Sequence, residues 1–164
     1  GMEQAFWFDC LDLPLVHLLE PMTAQDHPEQ WEDNATDAPD SPMRIPQTTV
    51  LERLAKAPDG DVFFGRTVDF SCQEMRTITI KAHQWTCGWK NHPYRQHANQ
   101  IFVVLGGSGS TKVDDVHFDW NFGDVFVAPL ASRVAHHVRD DALLVVLSDE
   151  DLMKYCGFHQ LEAA

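Results

Sequence analysis

Large apolar side chains crowd the start of the chain. The segment AFWFDCLDLPLVHLLE (residues 5–20) is apolar almost throughout, and Pro14 in its middle argues against an uninterrupted helix, so an extended lead-in and then a short helix from about Leu15 are expected. An arm this apolar needs a surface to dock on, either its own barrel or a second subunit. Further on, TTVLERLAKAP (residues 48–58) sets Val50, Leu51 and Leu54 at helical spacing behind a threonine able to cap, and Pro-Asp-Gly stops it. One short helix is predicted there.

From residue 62 onward the period changes to two. MRTITIKAH alternates, QIFVVL reads as a buried strand, STKVDDVHFDW as a hairpin turning near Asp114 and Asp115, and DVFVAP, RVAHHV and ALLVVLSD as further strands. Turn signals at Gly106-Gly107, Asn121-Phe122-Gly123, Ala131-Ser132 and Asp140-Asp141 separate them. A brief helix over residues 149–158, acidic in its first turn and ended by Gly157, closes the pattern. Many short strands with Gly, Asp and Pro corners predict an all-β antiparallel sandwich or barrel. The expected organisation is an N-terminal arm with an acidic loop and a short helix over residues 1–60, then one barrel over residues 61–164.

Composition narrows the partners. The 164 residues suit a single core, and 12 Lys+Arg against 25 Asp+Glu leave a net charge of −13. That charge repels phosphate backbones and anionic membrane surfaces, so neither nucleic acid nor a membrane is expected as a partner. Acids concentrate in AQDHPEQWEDNATDAPDSP (residues 24–42), the composition of a solvated connector. No apolar run approaches the ~18 residues needed to cross a bilayer. Cys10, Cys72, Cys87 and Cys156 lie far apart without a CxxC pair, which predicts reduced thiols and a cytoplasmic protein.

Histidines precede QIFVVLGGSG, and FGDVFVAP follows with Gly-Asp four residues before Pro129. This order of glycine-cornered strands is similar to the two-motif signature of cupins, which fold as a double-stranded β-helix, the jelly-roll barrel. In metal-binding cupins the first motif supplies His-x-His and sometimes a Glu, and the second supplies a His five residues past the Pro. Those positions fall here at Tyr94, Gln96, Gln100 and Val134. None is a usual divalent-metal ligand.

The resemblance then becomes more specific. FWFDCLDLPLV, LERLAKAPDGD, PYR before a buried strand, GSG, FDWNFGDVFVAP and LSDEDLMKYCGF together resemble the inter-domain arm plus C-terminal cupin of gentisate 1,2-dioxygenase and its relatives that cleave salicylate or hydroxynaphthoate. The similarity runs from about Phe6 to about Phe158. It implies the cupin fold, the arm and a tendency to oligomerise. The catalytic iron of that family is carried by the N-terminal cupin, which this sequence does not include.

Strand alternation sets His92, Tyr94 and Gln96 on one face, and Val134, His136 and Val138 on one face of the partner strand. If both faces line the barrel, His92, Tyr94, Gln96 and His136 converge as a polar ligand pocket. His97 and His137 fall on the opposite faces. A bulge between His92 and Ile101 would turn His97 inward and assemble His92, His97 and His136 into a site for Fe(II) or another divalent metal. His17, His27, His83, His117 and His159 read as ordinary residues, although His83, near Trp85, could reach the barrel mouth. Trp85, Trp89, Trp120, Phe118 and Phe122 read as core, and Arg95 as paired with an acid. No Ser-His-Asp order, phosphate loop or Cys-His couple has usable spacing.

Three functions stay open at this point. The first is a single-domain cupin without catalytic iron or other cofactor, binding a small molecule such as an aromatic acid or serving as a structural barrel. The second is a metal-dependent ring-cleaving dioxygenase acting on a small aromatic acid such as gentisate. The third is a non-enzymatic partner of a separately encoded metal-bearing cupin. A homodimer or higher homo-oligomer held through the N-terminal arm is expected.

Overall fold

A computed structural model describes residues 7–20, 26, 28–30, 41, 43–73 and 75–164. They fall into two compact units, Gly1–Ile45 and Pro46–Ala164. In the first, α1 (Leu13–Leu19) begins slightly earlier than the sequence suggested, because Pro14 occupies the first turn, where a missing N–H goes unnoticed. None of its residues is buried, and Trp7, Leu11, Leu18 and Leu19 stand exposed. Most of the acidic connector lies outside the described residues.

The second unit is a curled antiparallel sheet, the jelly-roll barrel. Its elements in chain order are α2 (Gln47–Lys56), β1 (Arg66–Asp69), β2 (Thr79–Trp85), β3 (Tyr94–Gln96), β4 (Gln100–Val113), β5 (Val116–Asn121), β6 (Val125–Ala128), β7 (Arg133–Ser148), α3 (Glu150–Tyr155) and β8 (Leu161–Ala163). Strands run β1-β2-β7-β3-β8, and β4 pairs with β7 along its whole length and with β6 and β5 at its two ends. The hairpin turns at Asp114 (φ 50°), as its Asp-Asp signal predicted. β8 was not legible beforehand; it adds to the edge of β3 in the register Tyr94↔Ala163 and Gln96↔Leu161.

Two expected turns prove to be bends within long strands. Residues 133–148 form one strand rather than two, and β4 passes straight through the Gly106-Gly107 corner. The register between β4 and β7 shifts between Val104 and Gly109, by one residue overall. A one-residue shift reverses which side chains face inward. Gln100, Phe102 and Val104 are the buried positions before the corner; after it Gly109, Thr111 and Val113 are buried on the opposite parity, with Ser110 between them also buried. Gly107 makes the crossing possible, because at φ 83° a Cβ there would lie 2.4 Å from the Asp141 carbonyl oxygen.

Inside the barrel the core is aromatic. Trp85, Tyr94, Phe102, Trp120 and Phe126 cluster with Val134, Val138, Leu144 and Val146, and Phe102 stacks on Phe126 at 4.7 Å between centroids. Trp89 and Phe118 pack against this cluster, whereas Phe122, expected in the core, is 74% exposed in the turn between β5 and β6. Outside the barrel, α2 lies in the same compact unit, against β1 and β2, with Val50 and Leu54 buried. Arg53 sits 4.2 Å over the Phe70 ring. Among the described residues no helix is long and apolar enough to cross a membrane, and the four cysteines form no disulfide.

Candidate functional site

The four positions of the sequence-derived pocket separate. Tyr94, Gln96 and His136 are buried, but His92 is exposed. The alternation does not reach back to residue 92, because β3 begins only after Pro93, which cannot donate to a ladder. Asn91 takes the inward place instead: its Nδ2 donates to the Val134 carbonyl at 3.2 Å, and its Oδ1 accepts from the His136 backbone N–H at 2.6 Å. His97 is half-buried at the bend between β3 and β4, its backbone N–H on the Gln160 carbonyl. The bulges of β4 lie at Val104–Gly109, and no register shift turns His97 inward. Arg95 pairs with Asp114 at 3.4 Å, an acid partner as expected.

The donor set at the cupin ligand positions does not fit a divalent ion. The Tyr94 hydroxyl donates to Gln100 Oε1 at 2.9 Å, and burial holds its phenol well above the ordinary value, so it stays neutral. Gln96 Nε2 lies 3.1 Å from Glu150 Oε2 and 3.1 Å from His159 Nε2, while Val134 is packed at 1% exposure. His136 is boxed by the rings of Trp85 at 4.7 Å and Phe102 at 5.2 Å. Its Nδ1 meets Thr111 Oγ1 at 2.8 Å, Thr111 accepts from Trp120 Nε1, and its Nε2 has no partner among the described residues. Burial, with a smaller contribution from His83, lowers its pKa to about 3. Among the described residues, no three His, Cys, Asp or Glu side chains group so as to hold an ion, and His92, His97 and His136 are not brought together.

A different polar site opens beside this layer. Along β2, Thr79, Lys81 and His83 point into the barrel ahead of Trp85, and the register aligns Thr79 with Ser148 and Ser148 with Gln100. They line a cavity of about 270 Å³ walled by Phe64 and Val146. His83 is buried, and its Nδ1 lies 2.8 Å from Thr67 Oγ1 and 3.1 Å from the Phe64 carbonyl. Thr67 already donates to the Gly65 carbonyl, so both neighbours accept and the proton sits on Nδ1. Burial lowers the His83 pKa to about 4, partly opposed by that carbonyl bond, so the ring is neutral and Nε2 carries a lone pair.

Glu150 closes one end of the cavity. Lys81 Nζ lies 2.6 Å from its Oε2 and Lys154 Nζ 2.5 Å from its Oε1. Burial alone would raise this carboxyl, but the two ammoniums hold it down at about 2. Sequence reasoning placed no functional role on Lys81, Gln100 or Glu150. The available signal was the alternation TITIKAH, whose polar members share one face.

No family model matches the chain. Curated relatives do. The chain is 25% identical over 181 residues to gentisate 1,2-dioxygenase 1 of Aquipseudomonas alcaligenes, covering 93% of this chain and 52% of that protein. It is 26% identical to 5-aminosalicylate 1,2-dioxygenase of a Comamonas species, over 96% of this chain and 50% of the relative. The chain thus spans about half the length of the curated relatives it matches. Among solved structures, a variant of salicylate 1,2-dioxygenase from Pseudoaminobacter salicylatoxidans superposes with a TM-score of 0.69 at 14% identity, over 93% of this chain and 53% of that one. Another structure of the same enzyme gives 0.60 at 16% identity, over 71% and 35%. These likenesses carry the fold, and the sequence matches carry the kinship: the chain is a jelly-roll cupin related to the gentisate-type 1,2-dioxygenases.

Proposed function

We propose that this barrel, corresponding to the C-terminal cupin of a gentisate-type dioxygenase, works without a catalytic metal, as a small-molecule-binding or structural module. The observation that carries the reading is the buried hydrogen bond from Tyr94 to Gln100, made between two of the positions at which metal cupins place ligands. With the Gln96 amide nitrogen turned to Glu150 and Val134 packed in the core, these positions bond mainly to the protein itself, and Gln96 Oε1 and His136 Nε2 are the buried atoms left without a partner among the described residues. A phenol kept neutral by burial and two amides offer no anionic oxygen to an ion, and one imidazole is too few for a ring-cleaving centre.

The arm supports self-association. Its exposed apolar residues suit a contact with a second copy, and we place the assembly in the cytoplasm. Metal analysis of the purified full chain, together with oxygen uptake in the presence of gentisate, tests the reading. Metal far below one ion per chain and no uptake are expected. Stoichiometric iron with gentisate-dependent uptake would replace it with the ring-cleaving dioxygenase.

A further inference from the structure

We propose that the open outer face of β6, β4 and β7 is an interface for a second copy of this chain, packed sheet on sheet about a two-fold axis. The strands point to it first. QIFVVL, VFVA and LLVVL carry apolar side chains at successive positions rather than alternate ones, the pattern of strands buried on both faces. Phe102, Phe126, Leu144 and Val146 fill the inner face. The register aligns the other set across the sheet: Val127 beside Ile101 beside Leu147, and Val125 beside Val103 beside Val145, with Leu105 beyond them on β4. Most are β-branched and stiff at χ1, so they lose little freedom on contact.

Part of this face already has a cover. β2 places Ile80 and Ala82 in the same two rows, and there α2 packs, leaving Ala82 fully buried. At the far edge Val125 and Val127 are 43% and 50% exposed, and Ile101, Val103, Val145 and Leu147 are half-buried. Charge selects the occupant. The chain carries −13, yet none of these positions is charged, so two such chains can approach here to the ~10 Å of stacked sheets without setting their acids together. A basic partner would find no acid here to pair with. Area sets the terms. Strands about 4.8 Å apart, with about 3.4 Å per residue from Ile101 to Leu105, give a footprint of roughly 250 Å² per copy. A stable dimer needs about 800 Å² per partner. The exposed apolar residues of the arm must supply much of the rest, so loss of either surface should dissolve the assembly.

The inference rests on the self-association proposed for the arm, and its test separates the two. Sedimentation of the full chain at micromolar concentration in physiological salt is compared for the parent, for Val125→Lys with Val127→Lys, and for Val116→Lys. Val116 is exposed at the hairpin end of β5, away from this face, and is the control. The parent should sediment as at least two chains, and Val116→Lys should match it. In the double variant the two-fold axis sets like charges together, so its dissociation constant should rise about a hundredfold or more. Lysine lowers the net negative charge, so general repulsion between chains cannot produce that loss. Both altered positions are exposed, and the urea midpoint should stay at the parent's. Independently of any variant, isotope-filtered spectra of a mixed labelled and unlabelled sample should show methyl contacts between copies at Val125, Val127 and Leu147. An assembled parent whose double variant stays assembled, whose control dissociates equally, or whose contacts between copies avoid these methyls would overturn the face and leave the arm standing. Contacts to Val127 from arm residues alone would overturn the sheet-on-sheet packing. A parent that sediments as one chain would overturn both.

Discussion

Two neutral imidazoles inside an aromatic barrel give this protein a defined response to acid. His83 and His136 titrate near pH 6.5 when solvated, but burial lowers them to about 4 and about 3. The unfolded chain therefore takes up these protons first, so their stabilisation is complete above about pH 6.5 and is lost as pH falls toward 4 and then 3. Glu150 acts in the same direction at lower pH, its contribution present above 4.5 and lost on the way to about 2. Each pH unit of separation corresponds to about 1.4 kcal/mol, so urea unfolding at pH 7 and pH 4.5 should differ by more than 1 kcal/mol, and equal midpoints would contradict the burial argument. Tyr94→Phe tests the hydrogen-bonded layer: it leaves Gln100 Oε1 buried without its donor, an expected loss of about 1–3 kcal/mol by the same assay. These side chains were only partly legible in the sequence. The inward turn of Thr79, Lys81 and His83 follows from alternation, but the habit of sending the apolar set inward misleads here, because α2 covers the opposite face of β2 and gives Ala82 a place to be buried. His92 failed for a local reason, the interruption of the strand period by Pro93.

At the level of elements, periodicity revealed where strands lie, and punctuation misjudged where they end. The hairpin at Asp114, the strand from Gln100 and the helix after Asp149 match their signals, whereas Gly106-Gly107 and Asp140-Asp141 mark a bend that β4 and β7 make together. Glycine in a strand signals a close approach of backbones as readily as it signals a turn, and only the partner strand decides between them. At Gly107 the backbones of the two strands approach too closely for a side chain. Gly107→Ala would set a methyl group against the Asp141 carbonyl and Ala142 at a left-handed φ, so a loss of about 2 kcal/mol or more is expected. Its neighbour is the control. A Cβ on Gly106 would meet nothing within 4 Å, and Gly106→Ala should stay within about 0.5 kcal/mol of the parent. Similar losses in the two variants would show that the corner tolerates bulk and that the register shift has another origin.

On the scale of the whole molecule, the apolar arm and the charge pull in opposite directions. Trp7 is 96% exposed, Leu18 80% and Leu11 69%, in a unit whose helix buries none of its own side chains. Covering such a surface against a second copy would remove several hundred Å² from water, worth several kcal/mol at about 25 cal/mol per Å² before the cost of association. A net charge of −13 on each chain opposes the encounter, and that repulsion is screened beyond about 8 Å at physiological salt. The hydrophobic contact should prevail there and weaken as salt is withdrawn, the reverse of an assembly held by ion pairs. Sedimentation at micromolar concentration in physiological salt should give at least twice the 18.6 kDa of one chain. Replacing Trp7 and Leu18 together by Asp adds charge to the arm and alters no residue of the barrel unit, so the assembly should fall to single chains while the urea midpoint of the barrel holds. A parent protein that sediments as one chain under these conditions would refute the arm as an interface, and a variant that stays assembled would move the contact elsewhere, with the exposed Val125 and Val127 on β6 the next surface to alter.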